Sequence, residues 1–183
     1  MLSLPAEWKT ESLIVRDVTQ DDAGRLRAIF NACAPIEIWD PTFKPESAEG
    51  FANLIHMSAD RESGAGRAFQ MQALIDSKTG EIAGYYHLYF GVPRSDRVFI
   101  SMFVIHPDSQ SHQFGKEVVT GLVKQIKRLG GYKGILLQVY LKNWPALRFW
   151  FLNGFDAIRE YRGDKSLTPD GHASLILERK LGR

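Results

Sequence analysis

Ile105 to Lys116 reads Ile-His-Pro-Asp-Ser-Gln-Ser-His-Gln-Phe-Gly-Lys, directly after an apolar strand-like run and directly before an amphipathic helix-like run. A strand that stops at a proline, followed by a short polar turn and a helix start, leaves several backbone N–H groups without partners. They point one way, with the helix dipole behind them. Such a turn suits an anion of pyrophosphate size. The backbone amides of Gln110, Ser111, His112, Gln113, Phe114, Gly115 and Lys116 would carry it, with Lys116 adding charge and Gly115 letting the backbone come close. The same residues also describe a strand-to-helix turn that binds nothing.

A second segment, Asn143-Trp144-Pro145-Ala146-Leu147-Arg148-Phe149-Trp150-Phe151-Leu152-Asn153-Gly154-Phe155, follows further along the chain. Together the two segments resemble the cofactor motifs of the GNAT superfamily of acyl-CoA-dependent N-acetyltransferases. The family's phosphate loop is written Gln/Arg-x-x-Gly-x-Gly/Ala after a Val-x-Pro strand end. Ile105, Pro107, Gln110 and Gly115 fall on that frame, and Gln113 stands in the place of the first glycine. In the second motif, Asn143, Ala146, Trp150, Gly154 and Phe155 take the family's Asn, Ala, aromatic and Gly-Phe positions. The separation of the two motifs also fits, and the resemblance spans roughly residues 12 to 180.

The resemblance implies acetyl-CoA as cofactor and direct transfer of an acetyl group, in a ternary complex, to a primary amine of a small molecule or peptide. It implies that the pantetheine arm lies along Phe103, Val104 and Ile105, in a gap where this strand parts from the one at 135–140. Asn143 then falls at the mouth of the gap, a position in which it is equally suited to cap the following helix. Where many members carry a Tyr that can protonate the departing thiolate, this chain has Trp150. Indole is a donor without useful acidity, so Trp150 is expected to pack against the sulfur end.

Acyl transfer requires the reactants in line, a neutral amine, a stabilised oxyanion and a proton for the thiolate. Tyr140 is a substitute donor or simply a half-buried strand aromatic. His87 has a suitable intrinsic pKa for a base and reads equally as a satisfied strand histidine. His106 and His112 are expected to bond backbone or phosphate, and a water relay would need no side chain at all. By family analogy the acceptor pocket draws on Ala34 to Pro45 and on Tyr85, His87 and Tyr89, with Glu37, Trp39 and Asp40 giving an acidic, aromatic lining for a cationic amine. These too could be ordinary loop surface.

The elements that must position these residues can be read from periodicity. Residues 12–18 form a strand; Thr19 and Asp22 open a helix to about Ala32, with Ala23, Leu26, Ile29 and Phe30 on one face. Pro35, Pro41 and Pro45 interrupt any continuous helix, and Ser47 to Ser58 forms a second one burying Phe51, Leu54 and Ile55. Arg61 to Gly66 is a polar connection. From Phe69 the period alternates, giving an antiparallel meander: a strand to Ile75, a strand from Glu81 to Phe90, and a strand from Arg97 to Ile105. The last is nearly all apolar, so it is expected to lie centrally with both faces covered. Phe114, Val118, Leu122 and Ile126, with Val119 and Val123, mark a helix stopped by Gly130-Gly131. Gly134 to Tyr140 returns as a parallel strand, Trp144 to Leu152 is a helix, and Phe155 to Arg162 and Ala173 to Lys180 are strands joined by the polar stretch 163–171. The fold class is therefore α/β (α+β): one mixed, mostly antiparallel sheet of about seven strands flanked by about four helices, as the GNAT resemblance also implies.

Composition bounds the alternatives. The chain's 183 residues suffice for a single domain over 1–183, and nothing approaches an apolar membrane span. The N-terminal residues carry Glu7 and no signal-peptide core, which makes the cytoplasm the expected address. Cys33 is the only cysteine, so there is no internal disulfide and no metal-ligand spacing, and it is expected to be a packed thiol. A net charge of +2 with scattered basic residues gives no basis for nucleic-acid binding. The expected partner is the amine substrate; a homodimer is left open. A GNAT-like module of weak catalysis that binds CoA as a sensor or interaction domain is the alternative, given Trp150 and Gln113. A Rossmann dinucleotide binder lacks the Gly-x-Gly-x-x-Gly turn.

Overall fold

A computed structural model describes residues 3–40, 43–61, 68–166 and 168–182. Pro41, and most of the polar connection after Arg61, lie outside the described residues. The elements are β1 (Glu7–Lys9), β2 (Leu13–Asp17), α1 (Ala23–Ala32), α2 (Ala48–Ala59), β3 (Ala68–Asp76), β4 (Ile82–Phe90), β5 (Arg97–Ile105), α3 (Phe114–Leu129), β6 (Gly134–Tyr140), α4 (Trp144–Leu152), β7 (Ala157–Gly163) and β8 (Ala173–Lys180). One sheet runs β1-β2-β3-β4-β5-β6-β8-β7, and its sole parallel pair among the described residues is β5 with β6. It has eight strands, one more than periodicity predicts. The extra strand, β1, has three residues, too few for an alternation to register. It is fixed by Trp8, whose Nε1 donates to Gln72 Oε1 (3.0 Å) and whose ring occupies the space that a Cβ on Gly121 of α3 would need.

Each face of the sheet buries its own core. Leu26, Ile29 and Phe30 of α1 and Phe51 and Ile55 of α2 pack on Phe69, Met71, Ala73 and Tyr85. Opposite them, α3 inserts Phe114, Val118, Val119, Leu122, Val123 and Ile126, and α4 adds Trp150. Burying such side chains stabilises by about 1.5–3 kcal/mol each, so α3 is held by its apolar stripe rather than by propensity. Leu54, expected to be buried, is only partly so.

The meander β3-β4-β5 pairs antiparallel, and its irregularity matters most for the site. His87 pairs with Met102, and Leu88 with Ile100, leaving Ser101 as an inserted residue in β5. Such a bulge bends a strand and increases its twist. Parallel pairing of β5 with β6 runs from Arg97↔Gly134 to Ile100↔Leu137 and stops at that residue. Beyond it β5 stays with β4 as far as Ile105, while β6 stays with β8 as far as Tyr140↔Ser174. The expectation that β5 is covered on both faces is corrected here. The strand is central, but Ser101 is exposed and Met102 and Phe103 are half-buried, because the second half of the strand lines an opening in the sheet.

Candidate functional site

The parting of β5 and β6 leaves a cleft made of two adjoining cavities of about 220 and 370 Å3. They meet along Ile36, Phe103, Val104, Asn143, Ala146 and Trp150. The smaller cavity continues to Phe30, Asp40, Phe43, Ser101, Gln138 and Tyr140; the larger continues to Ile105, Gln110, Gly115 and Phe149.

At the far end of the larger cavity, β5 passes into a 3-10 turn, Pro107–His112, and then into α3. The turn is built from side chains that answer backbone. Gln110 Nε2 donates to Ile105 O (3.1 Å), tying the loop to the strand end. His106 Nδ1 accepts from Asp108 N–H (3.3 Å), and His112 Nδ1 lies 3.3 Å from Ser109 O with its ring stacked on Phe114. Gln113 takes φ 60 and ψ 6, in the left-handed region, and offers no side-chain cap to α3. The glycine-like position of the loop therefore has a glycine-like backbone. With no side-chain cap, the first-turn amides of Phe114, Gly115 and Lys116 have no intrahelical acceptors.

Gly115 serves packing as well as access: a Cβ there would sit 3.1 Å from the Phe149 ring. The start of α3 is anchored from behind by Glu117, whose carboxylate accepts from Thr10 Oγ1 (2.7 Å), Ser12 N–H (3.0 Å) and Ser12 Oγ (2.9 Å). Partial burial would push this carboxyl up, but those hydrogen bonds hold it below its ordinary range.

Asn143 stands where the two cavities meet. Its Oδ1 accepts from Ala146 N–H (3.1 Å), the N-cap bond of α4, so capping and cleft-lining coincide in one residue. Tyr140, the last residue of β6, lines the smaller cavity and meets His172 edge-on (6.3 Å). Trp150 is buried within an aromatic cluster, T-shaped to Phe103, Phe149 and Phe155 at 5.0–5.4 Å.

His87 is not brought to the cleft. It is buried on the α1–α2 side against Phe69 and Tyr85, its Nε2 has no hydrogen-bond partner among the described residues, and burial pushes its pKa down to about 3. A group this weakly basic and this enclosed is a poor general base. Tyr85 and Tyr89 likewise pack in that core and line neither cavity. In the proline-rich segment, Trp39 and Asp40 line the cleft, whereas Glu37 is surface, paired with Lys44 at 3.0 Å. Ile36 and Phe43, within the 34–45 segment expected to form the acceptor pocket, also line the cleft, whereas sequence reasoning missed Phe30, Ser101 and Gln138. Phe30 read as core, and no period marks the others.

Among the described residues, no cluster of three or more His, Cys, Asp or Glu is placed to hold a metal, and no helix is long and apolar enough to cross a membrane.

A family model described as the acetyltransferase (GNAT) family matches residues 26–155, which contain β5, α3, β6 and α4. The chain belongs to the GNAT acetyltransferase family. No curated relative is detectably similar in sequence. Solved structures share the fold. An N-acetyltransferase from Staphylococcus aureus Mu50 is 11% identical with a TM-score of 0.73, covering 94% of this chain and 100% of that one. An acetyltransferase from Thermus thermophilus is 18% identical with a TM-score of 0.66, covering 93% and 99%. The yncA structure from Salmonella typhimurium, solved with its cofactor acetyl-CoA, is 14% identical with a TM-score of 0.69, covering 94% and 96%.

Acetyl-CoA is the cofactor of GNAT acetyltransferases. Two features of this chain fit it: the β6-side edge of β5, which has no strand partner beyond Ile100 among the described residues, and a helix start without a side-chain cap at the end of the same groove.

Proposed function

We propose that this chain transfers an acetyl group from acetyl-CoA to a primary amine of a small molecule or peptide, directly, in a ternary complex. The observation that carries this reading is the continuity of the cleft. It runs from the start of α3, past the open edge of β5, to a mouth beside Asp40 and Tyr140.

Each residue's part follows from its place. The first-turn amides of α3, with Lys116, hold phosphate oxygens where the helix dipole favours negative charge. Phe103, Val104 and Ile105 offer backbone groups to an extended, amide-bearing ligand, as an edge strand does. Asn143, at the junction, keeps Oδ1 on the α4 cap and has its Nδ2 to donate to a ligand carbonyl. Bound acetyl-CoA supplies an already activated acyl group. The amine nitrogen, once neutral, forms its bond to the thioester carbonyl carbon as the carbon–sulfur bond breaks with its electron pair on sulfur. Of the two protons that an ammonium must shed, one leaves to water at the cleft mouth and one reaches sulfur. In this reading the Tyr140 phenol gives its own proton to sulfur and takes up the nitrogen's second proton in its place, and Trp150 packs the sulfur end without donating.

The test is thermal stabilisation by acetyl-CoA together with thiol release over a broad panel of amines. Stabilisation and turnover support the reading. Stabilisation without turnover on any amine would favour a CoA-binding module of weak catalysis.

A further inference from the structure

Where the gap between β5 and β6 closes, the neighbouring strands present an uncharged polar row. Pairing of β5 with β6 ends at Ile100↔Leu137, so Ser101 and Gln138 are the first residues on either side of the fork. Ile135, Leu137 and Val139 belong to the core under α3 and α4. Gln138 and Tyr140 alternate with them and point to the opposite face, where Phe30, Ile36 and Phe43 line the same cavity. Gln138 is exposed, and its Nε2 donates to Oγ of the buried Ser174 on β8 (2.9 Å). Its Oε1 has no hydrogen-bond partner among the described residues.

A cofactor whose phosphates lie at the start of α3 and whose arm follows Ile105, Val104 and Phe103 brings its reactive end to this fork. We propose that Gln138 orients the acceptor nitrogen there, its Oε1 accepting a hydrogen bond from the amine while Ser174 fixes the amide; the inference rests on the acetyl-transfer reading above. A neutral hydrogen-bond acceptor at this place has a chemical reason. The nitrogen attacks only without its positive charge, and a carboxylate in contact with it would favour the ammonium form. An amide oxygen accepts from the nitrogen in either state and adds no full charge that would hold the proton. The titratable groups lining this cavity are Asp40, toward the mouth, and Tyr140, which His172 meets edge-on; β5, α1 and α4 contribute none. Across β8, Gln138 faces Ile176, and the adjoining cavity adds Cys33. Gln138 exchanges no proton with the amine: it sets the direction of attack.

The experiment takes whichever of 2-phenylethylamine, putrescine, glucosamine and a lysine-containing peptide has the highest kcat/KM, and measures its kinetics with acetyl-CoA over roughly pH 6 to 10. Gln138→Met keeps the shape and deletes the amide; it should raise KM for that amine about fivefold to tenfold and leave KM for acetyl-CoA within about twofold. Ser174→Ala leaves the cavity lining in place and frees the amide, and should raise the amine KM about twofold to threefold. Gln138→Glu should move the rise of kcat with pH upward by about one unit, a shift that a loss of packing would not produce, and it carries the test if Gln138→Met fails to fold. Melting temperatures are recorded for each variant. An unaltered amine KM in Gln138→Met or Ser174→Ala overturns the inference, as does an unmoved pH profile in Gln138→Glu. So does a rise in the acetyl-CoA KM as large as that for the amine. A wild-type protein that acetylates no amine would instead overturn the acetyl-transfer reading, and this one with it.

Discussion

Replacing Gln113 by glycine should stabilise the protein, although it deletes a side chain from the cofactor loop. The residue holds φ 60, a conformation that disfavours an L-residue by about 1–2 kcal/mol. Its side chain is exposed and provides no cap, so nothing is lost with it. Against the gain stands the extra freedom of an unfolded glycine, about 0.5–1 kcal/mol. The net expectation is about 0.5–1 kcal/mol of stabilisation, which for a chain of this length raises the melting temperature by roughly 1–4 °C. Gln113→Ala keeps the backbone cost and removes only the side chain, so it should melt close to the wild type. Gln113→Val puts a β-branched residue at positive φ and should melt lower. Thermal melts with and without acetyl-CoA provide the assay. A lower melting temperature for Gln113→Gly, or a Gln113→Val protein as stable as the wild type, would refute the left-handed geometry on which the reasoning rests.

Gly115→Glu should abolish stabilisation by acetyl-CoA in a protein that still folds, because a bulky anion would stand in the groove beside the first amides of α3; differential scanning fluorimetry with the ligand checks it. Asn143→Ala loses the α4 cap, costing on the order of 1 kcal/mol and so roughly 2–4 °C, and acyl transfer should fall further than that loss explains; kinetics matched to melts decide. Tyr140→Phe should lower kcat by roughly 100-fold if its phenol protonates the thiolate, whereas Trp150→Phe should retain most of the turnover. Comparing kcat for the two variants over a pH series tests the assignment. Burial holds His87 at about 3 against an ordinary 6.5, so the unfolded chain takes up this proton first. The stability this preserves is complete above about pH 6.5 and is lost as the pH falls towards 3, with a slope of up to about 1.4 kcal/mol per pH unit. His87→Phe should flatten that acid limb in melts recorded against pH.

Much of the fold was legible because long elements leave a periodic trace. The four-residue recurrence from Phe114 to Ile126 fixed α3, and the change to alternation at Phe69 fixed the meander. A three-residue strand such as β1 leaves no such trace, since Trp8 flanked by Glu7 and Lys9 is indistinguishable from a loop. The turn between β5 and α3 was legible for a similar reason: a strand, its proline, a polar turn and a helix start are contiguous in sequence. Asn143 was also readable, as a cap before Pro145, although its place between the cavities was not.

By itself, then, the sequence determined the order of the longer elements, the start of α3 and the cap of α4, all of which depend on neighbours within a few residues. Tertiary structure decided where the sheet opens, because the inserted Ser101 is visible only when His87 is paired with Met102 and Leu88 with Ile100. It also decided that His87 does not reach the cleft. An alternating strand assigns His87 to a face without saying what covers that face, and here α1 and α2 cover it, removing the imidazole from the cleft. Asp40, Phe43 and Tyr140 are brought to one cavity from segments nearly a hundred residues apart in the chain, and only packing can set such a distance.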